Sequence, residues 1–235
     1  MIKFSILHPS RRRPDKSFET IQKWLFRAGE NTDIELIVSL DDDDPDLERY
    51  QRLYKGLKVI VNQNRSAIDA VNNAAVASTG EVLIVVSDDF ECPRNWALTL
   101  DRILRGRQDY LLKISDGTQM YIVTLPIMDR VYYKRFGYIY HPDFRHMFSD
   151  THLTHVADVL GKLYMRNDLL FQHNHYSVTH TAKDEVSIRA DKTWHDGRKT
   201  YLDMVRANLG LPDEIDIFQL KPEGEGHKLW LKQNL

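Results

Sequence analysis

The sequence predicts an α/β fold, a mostly parallel sheet wound by helices on both faces. Four short runs rich in branched aliphatic residues recur at 3–8 (KFSILH), 35–40 (ELIVSL), 57–62 (LKVIVN) and 81–86 (EVLIVV). Such continuous runs suit strands that are covered on both sides. Helical spacing of apolar residues fills the gaps between them, and no repeat or low-complexity tract interrupts the pattern. The resulting strand–helix alternation over roughly the first hundred residues requires right-handed crossovers and a parallel sheet.

Each element has a local reason. In residues 15–28, Phe18, Ile21 and Leu25 recur at helical spacing. In 66–78, Ser66 and Asp69 form a capping box, Ile68, Val71 and Ala75 make one apolar face, and Gly80 follows the end. Residues 110–115 and 121–125 read as further strands, followed by the aromatic stretch VYYKRFGYIYHPDF at 131–144. A helix is predicted at 150–160, with Leu153, Val156, Ala157 and Leu160 on one face and Gly161 as its stop. Residues 164–171 lead into His173, Asn174 and His175, helices are expected at 184–194 and 199–209, and the glycine-interrupted stretch 221–235 reads as a loosely held tail. This divides the chain into a main domain, 1–180, and a C-terminal helical extension with its tail, 181–235.

Composition narrows the function. With 235 residues and 42% hydrophobic content the chain can bury a full core. The 32 basic and 34 acidic residues nearly cancel, which argues against bulk binding to nucleic acid or membrane. Cys92 is the one cysteine, so no intrachain disulfide is possible and a reducing compartment is the simpler reading. The apolar run near the amino terminus, Phe4 to Leu7, is too short for a secretory signal or a membrane span; a cytoplasmic protein is expected.

In open parallel sheets, ligands bind outside the carboxyl ends of the strands. Three expected strand ends carry polar chemistry: HPSRRRP at 8–14, DDDDPD at 41–46 and SDD at 87–89. Cationic, acidic and metal-suited groups along one rim fit a nucleoside diphosphate better than an apolar ligand. Arg11, Arg12 and Arg13 are candidates for phosphate or for acceptor anions, while Asp43 and Asp44 are expected to face solvent or to cap the helix that follows Pro45.

Together these features resemble the nucleotide-sugar domain of the GT-A glycosyltransferases, most closely the inverting family 2, from residue 3 to about 175. The turn His8-Pro9-Ser10, the acidic set Asp41, Asp42 and Asp46, the helix with Asn72 before Gly80 and Glu81, and the D-x-D place held by Ser87, Asp88 and Asp89 before Pro93 and Trp96 carry the likeness. Serine stands where the family has its first aspartate.

The resemblance implies a GT-A fold and a metal-dependent inverting transfer from a UDP-sugar to a hydroxyl acceptor. It implies that Asp89 binds Mn²⁺ or Mg²⁺, with a late histidine, His173 or His175, completing the protein's share. Such a dication takes oxygen ligands and neutralises charge on the departing diphosphate. Asp41 or Asp42 would accept from the uracil imide, which a carboxylate can do and cytosine cannot answer. Pro9, Ser10, Arg12, Arg65, Asn72 and Asp88 would line the donor side. Asp150, at a helix start, would be the general base, with N-capping as its ordinary alternative and His146 and His152 as other bases. Trp194 and the aromatics of 132–140 would shape the acceptor side.

Other classes fit less well. A nucleotidyltransferase on this fold would show a glycine-rich loop and a lysine after the first strand, and a non-catalytic domain would not need Asp89, Asp150 and a late histidine together. Lys134 and Arg135 among aromatics leave room for an acceptor that is a nucleic-acid base, against which the balanced charge speaks.

Overall fold

The computed structural model describes residues 1–179 and 182–217. The first half runs β1 (Lys3–Pro9), α1 (Pro14–Phe26), β2 (Asp33–Asp41), α2 (Leu47–Leu53), β3 (Lys58–Asn62), α3 (Ala67–Ala77), β4 (Val82–Val85), β5 (Phe90–Glu91) and α4 (Trp96–Leu104). Then follow β6 (Leu111–Ser115), β7 (Ile127–Asp129), α5 (Arg130–Phe136), α6 (Ser149–Val159), β8 (Leu163–Leu170), β9 (Gln172–His173), α7 (Tyr176–Thr179), α8 (Glu185–Asp191) and α9 (Trp194–Arg206). Seven strands make one sheet in the order β3-β2-β1-β4-β7-β6-β8. The β1–β2, β2–β3 and β1–β4 pairs are parallel, as is β6–β8, while β7 runs antiparallel to both of its neighbours.

The strand runs are aliphatic on alternate positions for two different neighbours. Phe4, Ile6, Val38, Leu40, Val82 and Ile84 face one core, packed with Trp24 of α1, Tyr50 of α2 and Trp96 of α4. Leu7, Ile37, Leu83 and Val85 face the other, packed with Ile68 and Val71 of α3, Tyr132 of α5, Val156 of α6 and Tyr201 of α9. This is the period of two expected of a pleated strand buried on both sides. Each fully buried side chain of this size contributes about 1.5–3 kcal/mol on leaving water, so the central strands are held from both faces.

Two expectations change. Residues 121–125 form no strand; Val123 and Leu125 are buried, but Val123 N–H donates to Thr154 Oγ1 at 2.9 Å and Thr124 hydroxyl bonds Asp116. Pro126 ends that stretch, and the strand lies after it at Ile127–Asp129. The aromatic stretch supplies α5, capped by Asp129, which accepts from Tyr132 N at 2.9 Å, and stopped by Gly137 at φ +76°. The two C-terminal helices begin and end elsewhere than expected: Trp194 opens α9 rather than closing α8, and Leu209 lies beyond α9 in a 3₁₀ turn. The stretch 221–235 lies outside the described residues. Among the described residues, no helix is long and apolar enough to cross a membrane.

Gly80 explains its own place. A Cβ there would meet Ser5 Oγ at 2.4 Å, Ser5 N at 2.8 Å and Lys3 O at 2.9 Å, because the chain entering β4 passes directly over β1. Gly80→Ala is expected to destabilise the fold by about 1–3 kcal/mol, the cost of overpacking against backbone; a denaturant midpoint equal to the wild type's would contradict that close approach.

Candidate active site

The carboxyl ends of β1, β2 and β4 open onto one rim, and α1 fixes the backbone there. Thr20 Oγ1 donates to Asp88 O at 3.1 Å and Trp24 Nε1 donates to Phe90 O at 3.0 Å. Trp24 is buried against Trp96, so the ring needs a partner for its N–H and finds it in the strand that follows the site. From the other side β9 pairs with β5, setting His173 opposite Phe90, with the two rings stacked 4.2 Å apart. Asn174 N donates to Asp89 O at 2.8 Å. A segment 84 residues away in sequence is thereby seated on Asp89.

Asp89 receives Ser87 Oγ on one oxygen at 2.6 Å and faces His173 Nε2 with the other at 3.2 Å. Burial alone would push this carboxyl up; the hydrogen bond and charge of His173, with the Ser87 hydroxyl, overcome it and hold Asp89 well below the usual carboxylate range. Serine in the first place of the D-x-D therefore braces the third. Among the described residues, no group of three or more His, Cys, Asp and Glu is gathered to hold an ion. Asp89 and His173 face each other there as a pair. His175 lies beside it, its ring 5.3 Å from that of His173 and 4.0 Å from that of Tyr176.

The basic and acidic loops are interlocked. Arg11 Nη1 donates to Asp41 Oδ2 at 2.6 Å and also pairs with Asp43, while Asn64 Nδ2 donates to Asp41 Oδ1 at 2.9 Å. Asp41 is buried and Asp42 exposed. Asp44 is buried, contrary to the expectation of a solvent-facing or capping residue: its oxygens accept from Arg12 N and Asp46 N, both at 2.9 Å. Asp43 is the exposed one of the two. Ser10 Oγ bonds Tyr50 hydroxyl at 2.7 Å, and that hydroxyl accepts from Arg13 N at 3.0 Å, so Ser10 braces the turn after Pro9. Arg13 and Lys16, one turn apart at the start of α1, both reach Asp88, at 3.0 and 3.1 Å.

Asp150 sits at the second residue of α6. The N-cap position belongs to Phe148, in the left-handed region at φ +69° with no side-chain cap, so Asp150 is not the cap. Its Oδ1 accepts from Thr151 N at 2.7 Å. Burial pushes its carboxyl up, against the opposing pull of Thr151 and His146. His146 is pushed down by the surrounding protein, and Asp150, Asp89 and Asp191 all act on it in the opposite direction. His146 thus lies within electrostatic reach of both the expected base and the expected metal carboxylate.

Three expected residues go elsewhere. Asn72 donates to Tyr140 O at 2.8 Å and accepts from Ile139 N and Tyr140 N, so its amide is spent on holding the turn after α5. Arg65, just before α3, reaches Asp69 in its first turn at 2.9 Å and is exposed. His152 is buried among Phe144, His141 and the second core, its Nε2 without a hydrogen-bond partner among the described residues, and burial pushes it down to about 3.

The family model "Glycosyl transferase family 2" matches residues 15–185. The chain belongs to glycosyl transferase family 2. No curated protein sequence matches it. Solved structures share the fold of this family 2 chain at low identity. S. aureus TarS 1–349 in complex with UDP-GlcNAc aligns with a TM-score of 0.60 at 15% identity, over 79% of this chain and 61% of that one. A mannosyltransferase from Pyrobaculum calidifontis, solved with GDP-Man and Mn²⁺, aligns with a TM-score of 0.58 at 11% identity, over 99% and 80%. A further TarS structure is covered for only 36% of its own length, so the chain spans about a third of that relative.

As a member of family 2, the chain has residues around the candidate site that its motifs do not announce. Lys16 and Thr20 follow Arg13 on one face of α1 and touch Asp88, a helical spacing visible in sequence but with no chemical signature. Asp184 reaches Arg13 and Asp191 acts on His146 because the chain returns to this rim after β9.

Proposed function

We propose that this glycosyltransferase is metal-dependent and inverting, and moves a sugar from a UDP-sugar to a hydroxyl acceptor. The observation that carries the reading is the pairing of an ionised, braced carboxylate, Asp89, with the imidazole of His173 after β4, within the electrostatic reach of His146, as is a second carboxyl, Asp150, whose affinity for protons is raised. Two carboxyls driven in opposite directions fit an ion-binding group and a base.

One carboxylate oxygen and one imidazole nitrogen facing each other suit Mn²⁺, or Mg²⁺ with the carboxylate as the main ligand. Asp89 and His173 would hold the ion, leaving its other positions to diphosphate oxygens and water. Bound there, it would supply charge neutralisation for the leaving nucleoside diphosphate. Asp150 takes the acceptor hydroxyl proton as the new C–O bond forms at the anomeric carbon and the bond to phosphate breaks. Asp41, braced by Arg11 and Asn64, or Asp42 at the exposed rim accepts from the uracil imide. Pro9 and Ser10 shape the turn beneath the nucleotide, with Asp88 set by Arg13 and Lys16. The complexes of TarS with UDP and UDP-GlcNAc support a uridine donor on this fold. Residues 1–180 are proposed as the catalytic domain and 181–235 as its acceptor-side extension, for which α9 packing at Gly197 against Met147 O, three residues before Asp150, speaks.

A panel of nucleoside diphosphates with and without Mn²⁺ tests the donor. UDP at a hundredfold excess over its Kd is expected to raise Tm by about 5–10 °C in a Mn²⁺-dependent way. A panel in which no uridine nucleotide stabilises the protein, or in which metal makes no difference, would overturn the reading.

A further inference from the structure

Every arginine of the loop after β1 is held by a carboxylate, and those on Arg12 and Arg13 differ from the rest in where they come from. Arg13 is gripped from two sides. Its Nη1 meets Asp88, whose side chain is 7% exposed, while its Nε and Nη2 meet the two oxygens of Asp184 at 2.6 and 2.5 Å in a fork-to-fork pair. Asp184 comes from the far end of the chain, where it caps α8 by accepting from Ser187 N at 2.9 Å, and its neighbour Glu185 pairs with Arg12. These outer partners are 49% and 75% exposed, against 7% for the inner one. Arg12 holds a left-handed backbone, φ +57°, with its N–H fixed by Asp44 at 2.9 Å, which fixes the loop that carries the three arginines.

A planar guanidinium fork binds a carboxylate and a phosphate with the same two-point geometry. Arg13 also lies within electrostatic reach of Asp89, where the diphosphate of a nucleotide would sit. We infer that Arg13 is a diphosphate-binding residue of the donor site and that Asp184, with Glu185 on Arg12, is a built-in anion that occupies these arginines until the donor displaces it. This rests on the UDP-sugar reading above. The outer partners are the solvent-exposed ones and so the ones open to exchange, whereas the buried Asp88 keeps Arg13 aimed at the site. A donor carrying several negative charges competes well against one carboxylate, and its arrival frees the segment led by α8 from the rim.

Calorimetric titration of UDP with Mn²⁺, and separately of inorganic pyrophosphate, into wild type, Asp184→Asn, Arg13→Met and the double variant tests the latch. Asp184→Asn is expected to tighten both ligands about fivefold, because the competing internal anion is gone. Arg13→Met is expected to weaken both at least about tenfold and to erase the gain from Asp184→Asn. Unchanged or weaker binding of both ligands in Asp184→Asn overturns the latch, even where wild type binds UDP well. Pyrophosphate tightened by Asp184→Asn in a protein that ignores UDP would overturn the uridine reading and leave the latch standing; binding of neither ligand overturns both. Should Arg13→Met fail to fold, the Asp184→Asn titration decides alone.

Discussion

Asp89→Asn is expected to lower turnover by about 10²–10⁴-fold while the protein still folds. Asparagine keeps the size of the side chain and an oxygen for the Ser87 hydroxyl, so the turn after β4 survives, but the charge that would hold a dication is gone. The UDP-induced rise in Tm should then lose its Mn²⁺-dependent part. Stability should shift as well. A carboxylate held below its usual range in the folded state stabilises above the unfolded pKa, and that contribution is lost as pH falls through the folded value. The melting difference between wild type and Asp89→Asn is therefore expected to be present at neutral pH and to narrow on acidification. Turnover within tenfold of wild type would sink the metal assignment.

The fold was legible where burial on both faces forces continuous aliphatic runs. β1, β2, β3 and β4 fall within a few residues of the expected runs, because the aliphatic side chains of β1, β2 and β4 alternate between the two cores, with Ser5, His8 and Ser39 as buried polar exceptions. The same signal misleads at 121–125, since Val123 and Leu125 are buried as single anchors of an irregular loop, and alternation alone cannot separate the two cases. The helix α5 carried its own punctuation, Asp129 as cap and Gly137 as stop, but its crowd of aromatics hid the period.

The site was legible to the extent that it lies at strand ends. Asp89 and Asp41 follow strands directly, and the sheet places them. His173 lies in an apposition no local pattern encodes, the antiparallel pairing of two two-residue strands distant in sequence, with Phe90 opposite His173 and Glu91 opposite Gln172. Asn72 and Arg65 matched by spacing, and spacing does not reveal that one amide is consumed by the backbone at 139–140 and the other side chain by Asp69. In DDDD, all four residues are identical, yet Asp41 and Asp44 are buried and Asp42 and Asp43 are not; Asp41 is held by Arg11 and Asn64 and Asp44 by the backbone N–H groups of Arg12 and Asp46, while Asp43 pairs with Arg11 at the surface.

Asp150→Asn separates catalysis from folding. Loss of a general base is expected to reduce turnover by about 10²–10⁴-fold, with UDP affinity retained because the nucleotide contacts proposed above lie on the β1, β2 and β4 side. Stability should move the other way. A carboxyl raised by burial binds its proton more tightly in the folded protein, so the folded state loses stability relative to the unfolded one as pH climbs from the ordinary carboxylate range through the raised value. Asparagine carries no such penalty, and Asp150→Asn is expected to melt higher than wild type at neutral pH, with the gap vanishing below the usual carboxylate range. An N-cap would give the opposite result, a loss of about 0.5–2 kcal/mol, and the helix starts with Phe148 in that position. The acid limb of kcat/KM supplies an independent reading: in wild type it should lie above the ordinary carboxylate range, and in Asp150→Asn the residual rate should not follow it. A variant that melts lower yet turns over normally would make Asp150 a structural residue and move the search for the base to His146, which shares its surroundings.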